Sequence, residues 1–328
     1  MRVTILHDHV ESDSRADELD VLVQRDAVIG ALRTLGHHVE AFGCGLNLEA
    51  VRDELRQSRP DLVFNLVESM QRSGRLIHVV PSLLDTLGIR YTGAGADAIY
   101  LTSHKRIGKR WLAALELPVA IDWQPGEPWP AEISRGARWI VKSVWEHGSV
   151  GINHDSVVTA GDAATLAAAL RARQTAVGGE ALAEQFIDGR EFNLALLADR
   201  EGVQVLPPAE IEFVQWRDDA PRIVDWRAKW DEQSHEYNNT PRRFDFPASD
   251  APLLRELEQL ARTAWAAFRL RGWARVDFRV HAQRGPIVLE VNTNPCLSPD
   301  AGFAAALARA GTDLTAAIER IVADALRA

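Results

Sequence analysis

Two apolar segments near the end of the chain, ARVDFRV (274–280) and PIVLEVNTNP (286–295), admit few arrangements. Each reads as a strand, yet Arg275 and Asp277 lie two residues apart in one, as do Glu290 and Asn292 in the other, so each polar pair shares a face. A four-residue turn from Ala282 to Gly285, with glycine last, would join the strands as a hairpin. Asp277 would then stand opposite Glu290, and Arg275 opposite Asn292. Facing carboxylates repel, and burial adds to the cost, unless one is protonated or a cation lies between them. Two carboxylates and one amide suit a hard dication. Magnesium takes one or two protein carboxylates and leaves its other positions to water and phosphate. The pattern predicts a metal-nucleotide site on this hairpin. The plainer alternative is a solvated acidic pair screened by Arg275; Val276, Phe278, Val280, Val288, Leu289 and Val291 weigh against it by making both strands apolar.

Upstream, the first hundred residues alternate strand-like and helix-like patterns, from RVTIL through DVLVQRDAVIGALRTLG and HHVEAF to LIHVVPSLLDTLG and IRYTG. Val21, Val28, Leu32 and Leu35 recur near helical spacing, and Gly36 stands where a C-terminal glycine belongs. This βαβα order predicts an α/β unit over 1–100, a small parallel sheet covered by helices. One helix is expected over about 96–115, followed by the proline-rich loop QPGEPWPAE. A second unit, 101–183, contains the strand RWIVKSVW and an alanine-rich helix capped by Asp162. The third, 184–328, has long strands, the polar aromatic segment VDWRAKWDEQSHEYNNTPRR, a helix over 252–270 and the metal hairpin, so the later units read as α+β.

Charge and cysteine content exclude other classes. The formal net charge of −9, from 46 acidic against 37 basic residues, disfavours a phosphate polymer as partner. Cys44 and Cys296 are far apart and form no C-x-x-C pair, so neither a disulfide framework nor structural zinc is expected, and a reducing cytoplasm fits. The apolar run in MRVTILHDHVES is too short for a signal segment or a membrane span.

Lys142 stands inside the apolar strand WIVKSVW, where lysine is rarely buried without a partner. Just beyond it, Gly148, Ser149, Val150 and Gly151 form a pliable loop whose N–H groups could close over phosphate oxygens. GxxxxGK[ST] is absent. Lys105, in LTSHKRIGKRWL, read alone is a solvated lysine. EQFIDGRE sets Glu184 and Glu191 around Phe186, as an adenine slot and ribose hydroxyls could use. Two rival signals stand beside these. GAGADA (93–98) matches the dinucleotide fingerprint of a nicotinamide enzyme, and His7 with His9 forms a possible metal pair lacking a third ligand.

Taken in order, DLVFN, LGIRYTGAGADA, IVKSVWEHGSVGI, ALAEQFIDGREF, LPPAEIEF, DWRAKW, ARVDFRV and LEVNTNP make the chain resemble the ATP-grasp carboxylate–amine ligases, and within them the D-alanine–D-alanine ligases. The resemblance covers nearly the whole chain. It implies an ATP-grasp fold behind an N-terminal parallel-sheet domain, and an ATP-dependent reaction that joins a carboxylate to an amine through an acyl phosphate, releasing ADP and phosphate. It further implies that Lys105 and Lys142 contact ATP phosphates beside Gly148 and Ser149, and that Glu184, Phe186 and Glu191 hold adenine and ribose. Asp277, Glu290 and Asn292 would bind two magnesium ions. Arg275, Lys229 and Ser149 would be catalytic, with Arg275 and the N–H near Cys296 stabilising a tetrahedral oxyanion.

The departures from that family lie at the amino acid sites. HDHVESDS replaces its glycine- and serine-rich opening turn, and Glu68 and Ser69 replace a histidine-glycine pair. Gly148 stands for a serine, Trp230 for a tyrosine, and Ala301 and Gly302, next to Asp300, for a serine-leucine pair that receives the second substrate's carboxylate. These changes predict a different amino acid, peptide or amine substrate. Glu68 and Asp300 would meet its ammonium groups, with Ser69, Trp230 and Cys296 alongside. The alternatives are a D-alanine–D-alanine ligase proper, a nucleotide-binding relative without turnover, and, last, a nicotinamide dehydrogenase. Relatives of this type are often dimers. Residues 146–151 and much of 216–243 are expected to be mobile until nucleotide binds.

Overall fold

The computed structural model describes residues 1–11, 14–131, 133 and 136–327, so Ser12 and Asp13 of the opening turn and Glu132 of the proline-rich loop lie outside the described residues. The chain begins with β1 (Arg2–Asp8), α1 (Ala16–Thr34), β2 (His38–Cys44), α2 (Leu48–Ser58) and β3 (Leu62–Leu66). The three strands form a parallel sheet in the order β2-β1-β3. Val28 and Leu32 of α1 are fully buried, and Gly36, at φ 80°, lets the His37 N–H return to the Leu32 carbonyl at 3.0 Å and close the helix. IRYTG adds no strand; Tyr91 makes one parallel bridge to Val63.

After α3 (Val79–Leu87), the single helix expected over 96–115 is two, α4 (Ala96–Ser103) and α5 (Lys105–Ala114). The break is His104, whose backbone is extended at φ −82° and ψ 92° and whose Nδ1 accepts from the Ile107 N–H at 3.3 Å. Lys105 therefore opens a new helix, with its N–H bound to the Val144 carbonyl at 3.0 Å.

The central sheet contains β4 (Asp122–Trp123), β5 (Ala137–Ser143), β6 (Val157–Ala160) and, after α6 (Ala163–Arg173), β7 (Ala181–Gln185), in the antiparallel order β4-β7-β5-β6. Asp162 caps α6 by accepting the Thr165 N–H at 2.8 Å. Trp123, Trp139, Val141 and Leu166 make its core.

The C-terminal sheet is built from β8 (Arg190–Asp199), β9 (Gly202–Val205), β10 (Ala209–Ile211), β11 (Arg242–Arg243), β12 (Trp273–His281) and β13 (Gly285–Thr293). Its order is β11-β10-β8-β12-β13, with β9 on β8. Short helices α7 (Trp226–Trp230) and α8 (His235–Asn238) interrupt the polar aromatic segment, and α9 (Ala251–Ala267), α10 (Gly302–Arg309) and α11 (Leu314–Arg327) cover the sheet. Leu257, Ala261 and Ala264 of α9 share one buried core with Val276, Phe278 and Val288 and with Val63, Val80 and Leu84 of the first unit. The boundaries expected at residues 100 and 183 fall inside elements, α4 and β7 respectively, and Ala98 and Ile99 of α4 belong to that shared core. Helix α4 packs on β13 rather than ending a separate unit.

Candidate active site

The hairpin brings its polar residues together by a route the sequence did not suggest. Arg275 pairs with Asn292, and Asp277 with Glu290, but the turn spans three residues, 282–284, with His281 opposite Gly285. Phe278 faces Val288, so Leu289 is an extra residue that restores the register at the acids. Asp277 is buried and accepts Arg275 Nε at 2.7 Å and Nη2 at 2.9 Å. It also accepts Asn193 Nδ2 at 2.7 Å and Asn292 Nδ2 at 3.0 Å. The same Asn292 amide reaches Glu290 Oε1 at 3.2 Å.

Among the described residues no arginine forms an ion pair with Glu290. Burial pushes its carboxyl up, but Lys105, Lys229 and Lys142 more than offset that and hold it well below the usual carboxylate range. An ionised acid, a second acid facing it and an amide carbonyl are oxygen donors that fit a hard dication. Among the described residues no cluster of three His, Cys, Asp or Glu side chains forms a metal cage. These donors are thus too few to enclose an ion and suit one completed by water and phosphate oxygens.

Lys142, on β5, is buried and donates to Glu184 Oε1 at 2.8 Å, while Lys109 of α5 closes on Glu184 Oε2. Both oxygens of Glu184 are taken up by ammonium groups. Burial raises the Glu184 carboxyl, and the two lysines bring it below its ordinary range. Glu191 is likewise occupied, by Arg279 Nη2 at 2.7 Å. Phe186 lines the cavity with Arg138 stacked 4.5 Å from its ring centre. Lys105 donates its Nζ to the Glu146 carbonyl at 2.5 Å, and burial lowers its pKa to about 8. Burial and the nearby Arg275 lower that of Lys229, against Glu290 and Asp277.

The glycine-bearing loop is closed against the α7 segment. Ser149 Oγ donates to the Val224 carbonyl at 2.8 Å, and Trp230 Nε1 to the Gly148 carbonyl at 3.1 Å. Gly151, at φ 70°, has no room for a Cβ, which would fall 2.0 Å from the Ala176 carbonyl.

Most residues of the remaining departures line the same cavity. Glu68 is exposed on the cavity wall and accepts Gln24 Nε2 at 2.8 Å; desolvation within the cavity, with Asp8 and Asp20, pushes its carboxyl up. Ser69 turns away and donates to Asp8 Oδ2 at 2.7 Å, so it does not line the cavity as expected. Cys296 Sγ and Ser298 Oγ both donate to Asp20, each at 2.9 Å. Asp300 is exposed at the mouth. From Glu68 to Lys142, these groups share one cavity of about 490 Å³.

Sequence reasoning missed Lys109, Asn193, Asp20 and Gln24. The buried face of α5 reads Lys105, Gly108, Lys109, Leu112, so i, i+3, i+4, i+7 spacing holds the missed signal. Gln24 sits, 1% exposed, in the buried stripe between Val21 and Val28, a polar residue where the pattern calls for an apolar one.

The GAGADA fingerprint is explained by packing. Gly93, at φ 83°, lies so close to Asn294 that a Cβ would be 2.2 Å from Oδ1, and none of 93–98 lines the cavity. This removes the sequence basis of the nicotinamide alternative. His7 is buried with Nδ1 2.8 Å from the Asp8 carbonyl, in no metal cluster among the described residues.

Comparison with known proteins agrees with this architecture. The family model for the D-ala D-ala ligase C-terminus matches residues 132–323. An uncharacterized protein of Sinorhizobium fredii is 30% identical over 312 residues, covering 90% of this chain and 85% of that protein. The D-alanine–D-alanine ligase of Chromohalobacter salexigens is 32% identical over 318 residues, covering 94% and 90%. The crystal structure of the Bacillus anthracis D-alanine–D-alanine ligase complexed with ATP superposes with a TM-score of 0.73 at 19% identity, covering 100% of this chain and 98% of that one. The chain belongs to the D-alanine–D-alanine ligase family and is an ATP-dependent carboxylate–amine ligase that forms a C–N bond.

Proposed function

We propose that this ligase activates the carboxylate of an amino acid with ATP and passes it to an amine, with a substrate pair other than two D-alanines. The observation that carries this reading is one cavity that holds two sets of charged groups. Lys105, Lys142, Lys229 and Arg275 gather about Glu290, and Glu68 and Asp300, which depart from the family, line the same cavity.

ATP serves as the phosphoryl donor. Lys105, Lys142 and Lys229 neutralise charge spread over the oxygens in flight, as transfer between two anions requires. Asp277, Glu290 and Asn292 would hold magnesium, two ions in this proposal, which supplies further charge neutralisation on the phosphates. The substrate carboxylate attacks the terminal phosphorus, releasing ADP and leaving an acyl phosphate. The amine adds to its carbonyl carbon, and the tetrahedral intermediate expels phosphate as the C–N bond becomes an amide. Arg275 and the N–H near Cys296 stabilise the oxyanion; losing one such donor typically costs about a hundredfold in turnover. Glu68, with Asp20 behind Cys296, receives the ammonium group of the activated amino acid.

No described helix is long and apolar enough to cross a membrane, and both cysteines are free. A cytoplasmic homodimer acting on small molecules is the form we propose. Phosphate release across a panel of amino acids and amines, with products identified by mass, tests the reading. Robust D-alanyl-D-alanine formation at ordinary substrate levels would refute the altered specificity.

A further inference from the structure

Arg242 opens β11 at the edge of the C-terminal sheet and lines the cavity at its exposed mouth. Its side chain lies over Gly302: a Cβ there would stand 3.3 Å from Nε and 3.8 Å from Cζ and Nη2. The guanidinium thus occupies space that any side chain at 302 would contest. Nη1 makes one long hydrogen bond, 3.3 Å, to the Asp300 carbonyl. Among the described residues no carboxylate forms an ion pair with it.

The other arginines near this cavity are spoken for. Arg275 forks onto Asp277 and Arg279 pairs with Glu191. Arg243, the next residue along β11, pairs with Glu210 and Glu212. Arg242 alone among these four keeps an open fork, and it lies in the field of Arg275 and also of Asp300. A planar guanidinium with paired N–H groups matches a carboxylate bidentately and is weakly hydrated, so it suits a partly enclosed anion site.

Resting on the ligase function proposed above, we propose that Arg242 is a specificity residue that binds the carboxylate of the amine substrate. The nucleophile is then an amino acid or a peptide with a free carboxylate, rather than an amine without one. Arg242 would then take the part expected of the family's serine-leucine pair, replaced here by Ala301 and Gly302. The small residues at the start of α10 make room for an arginine arriving from β11.

The test compares amines that differ only in this group: glycine with glycinamide, and each enantiomer of alanine with its amide. ADP release is followed for the wild type, Arg242→Met and Arg242→Lys, with a panel of amino acids as carboxylate donors. The wild type is expected to prefer the free acid by roughly ten- to hundredfold in kcat/KM, the range for hydrogen bonds to a charged group. Arg242→Met should lose most of that preference through KM, and Arg242→Lys, which keeps charge without the fork, should fall between them. Equal use of acid and amide by the wild type, or an undiminished preference in Arg242→Met, overturns the proposal while leaving the ligase function intact. If ATP binds but no combination releases ADP, the ligase proposal is what fails. Titration of the ADP-loaded protein with glycine and alanine then decides the role of Arg242 alone: binding at least tenfold weaker in Arg242→Met supports it, and unchanged binding overturns it.

Discussion

Replacing Glu184 with glutamine removes the single anion that two buried ammonium groups share. Glu184 is 1% exposed, Lys109 4% and Lys142 7%, so solvent offers little substitute. Removing one partner of a buried pair costs about 3–5 kcal/mol, because the charge left behind is uncompensated. Lys109→Met leaves Glu184 still bound by Lys142, and should cost only about 2 kcal/mol, the worth of one charged hydrogen bond. The double variant should cost less than the sum of the singles by roughly 2 kcal/mol, within the range measured for contacting groups. Urea titrations read by tryptophan fluorescence give all three values, since Trp123 and Trp139 lie in the core of this sheet. The pH dependence has a definite sign. The Glu184 carboxyl is held below its ordinary value of 4.5, so its contribution is complete above that pH and is lost as pH falls through the lower folded value. The deficit of Glu184→Gln should therefore be full near neutrality and shrink in acid. Single-variant effects that add within about 0.5 kcal/mol would show that Glu184 and Lys109 are not coupled, and would refute the reasoning.

Other consequences can be checked separately. Because burial lowers Lys105 to about 8, its charge is present below that pH and lost above it. The kcat/KM for ATP should fall as pH rises past 8, and Lys105→Arg should flatten that limb. Asn193→Leu deletes the 2.7 Å hydrogen bond to Asp277 and should weaken magnesium-linked ATP binding by about tenfold in calorimetry. Gly151→Ala places a Cβ against the Ala176 carbonyl and should destabilise by at least about 1–3 kcal/mol, whereas Gly36→Ala, with open space but φ 80°, should cost only about 1 kcal/mol in the same denaturation assay.

The hairpin shows what sequence can and cannot specify. Alternation put Asp277 opposite Glu290 correctly, because side-chain period fixes which residues share a face. The connection was misjudged: a turn one residue shorter and a bulge at Leu289 cancel, and neither leaves a local signal in an apolar run. The parallel pairing of β1, β2 and β3 was legible from the alternation of strand and helix patterns, though their order in the sheet was not. The helix break at His104 was not, since its capping depends on a histidine side chain turning back to the Ile107 N–H. Glu184 stood out in the sequence, but its pairing with two lysines did not. Its partner Lys109 looked like one of several basic residues on a solvated helix, and only the buried face of α5 distinguishes it. Asp20 and Gln24 act through Cys296, Leu297 and Ser298, over 270 residues away, a distance that patterns along the chain do not report.

The most direct test is calorimetric titration of ATP into the wild type and Glu290→Gln, with magnesium and then with a chelator. Tight binding that requires magnesium in the wild type, and that loses this requirement along with most of its affinity in Glu290→Gln, is the expected result. Equal ATP affinity in chelator, or a variant indistinguishable from the wild type, would contradict the assignment of the facing acids to a metal nucleotide.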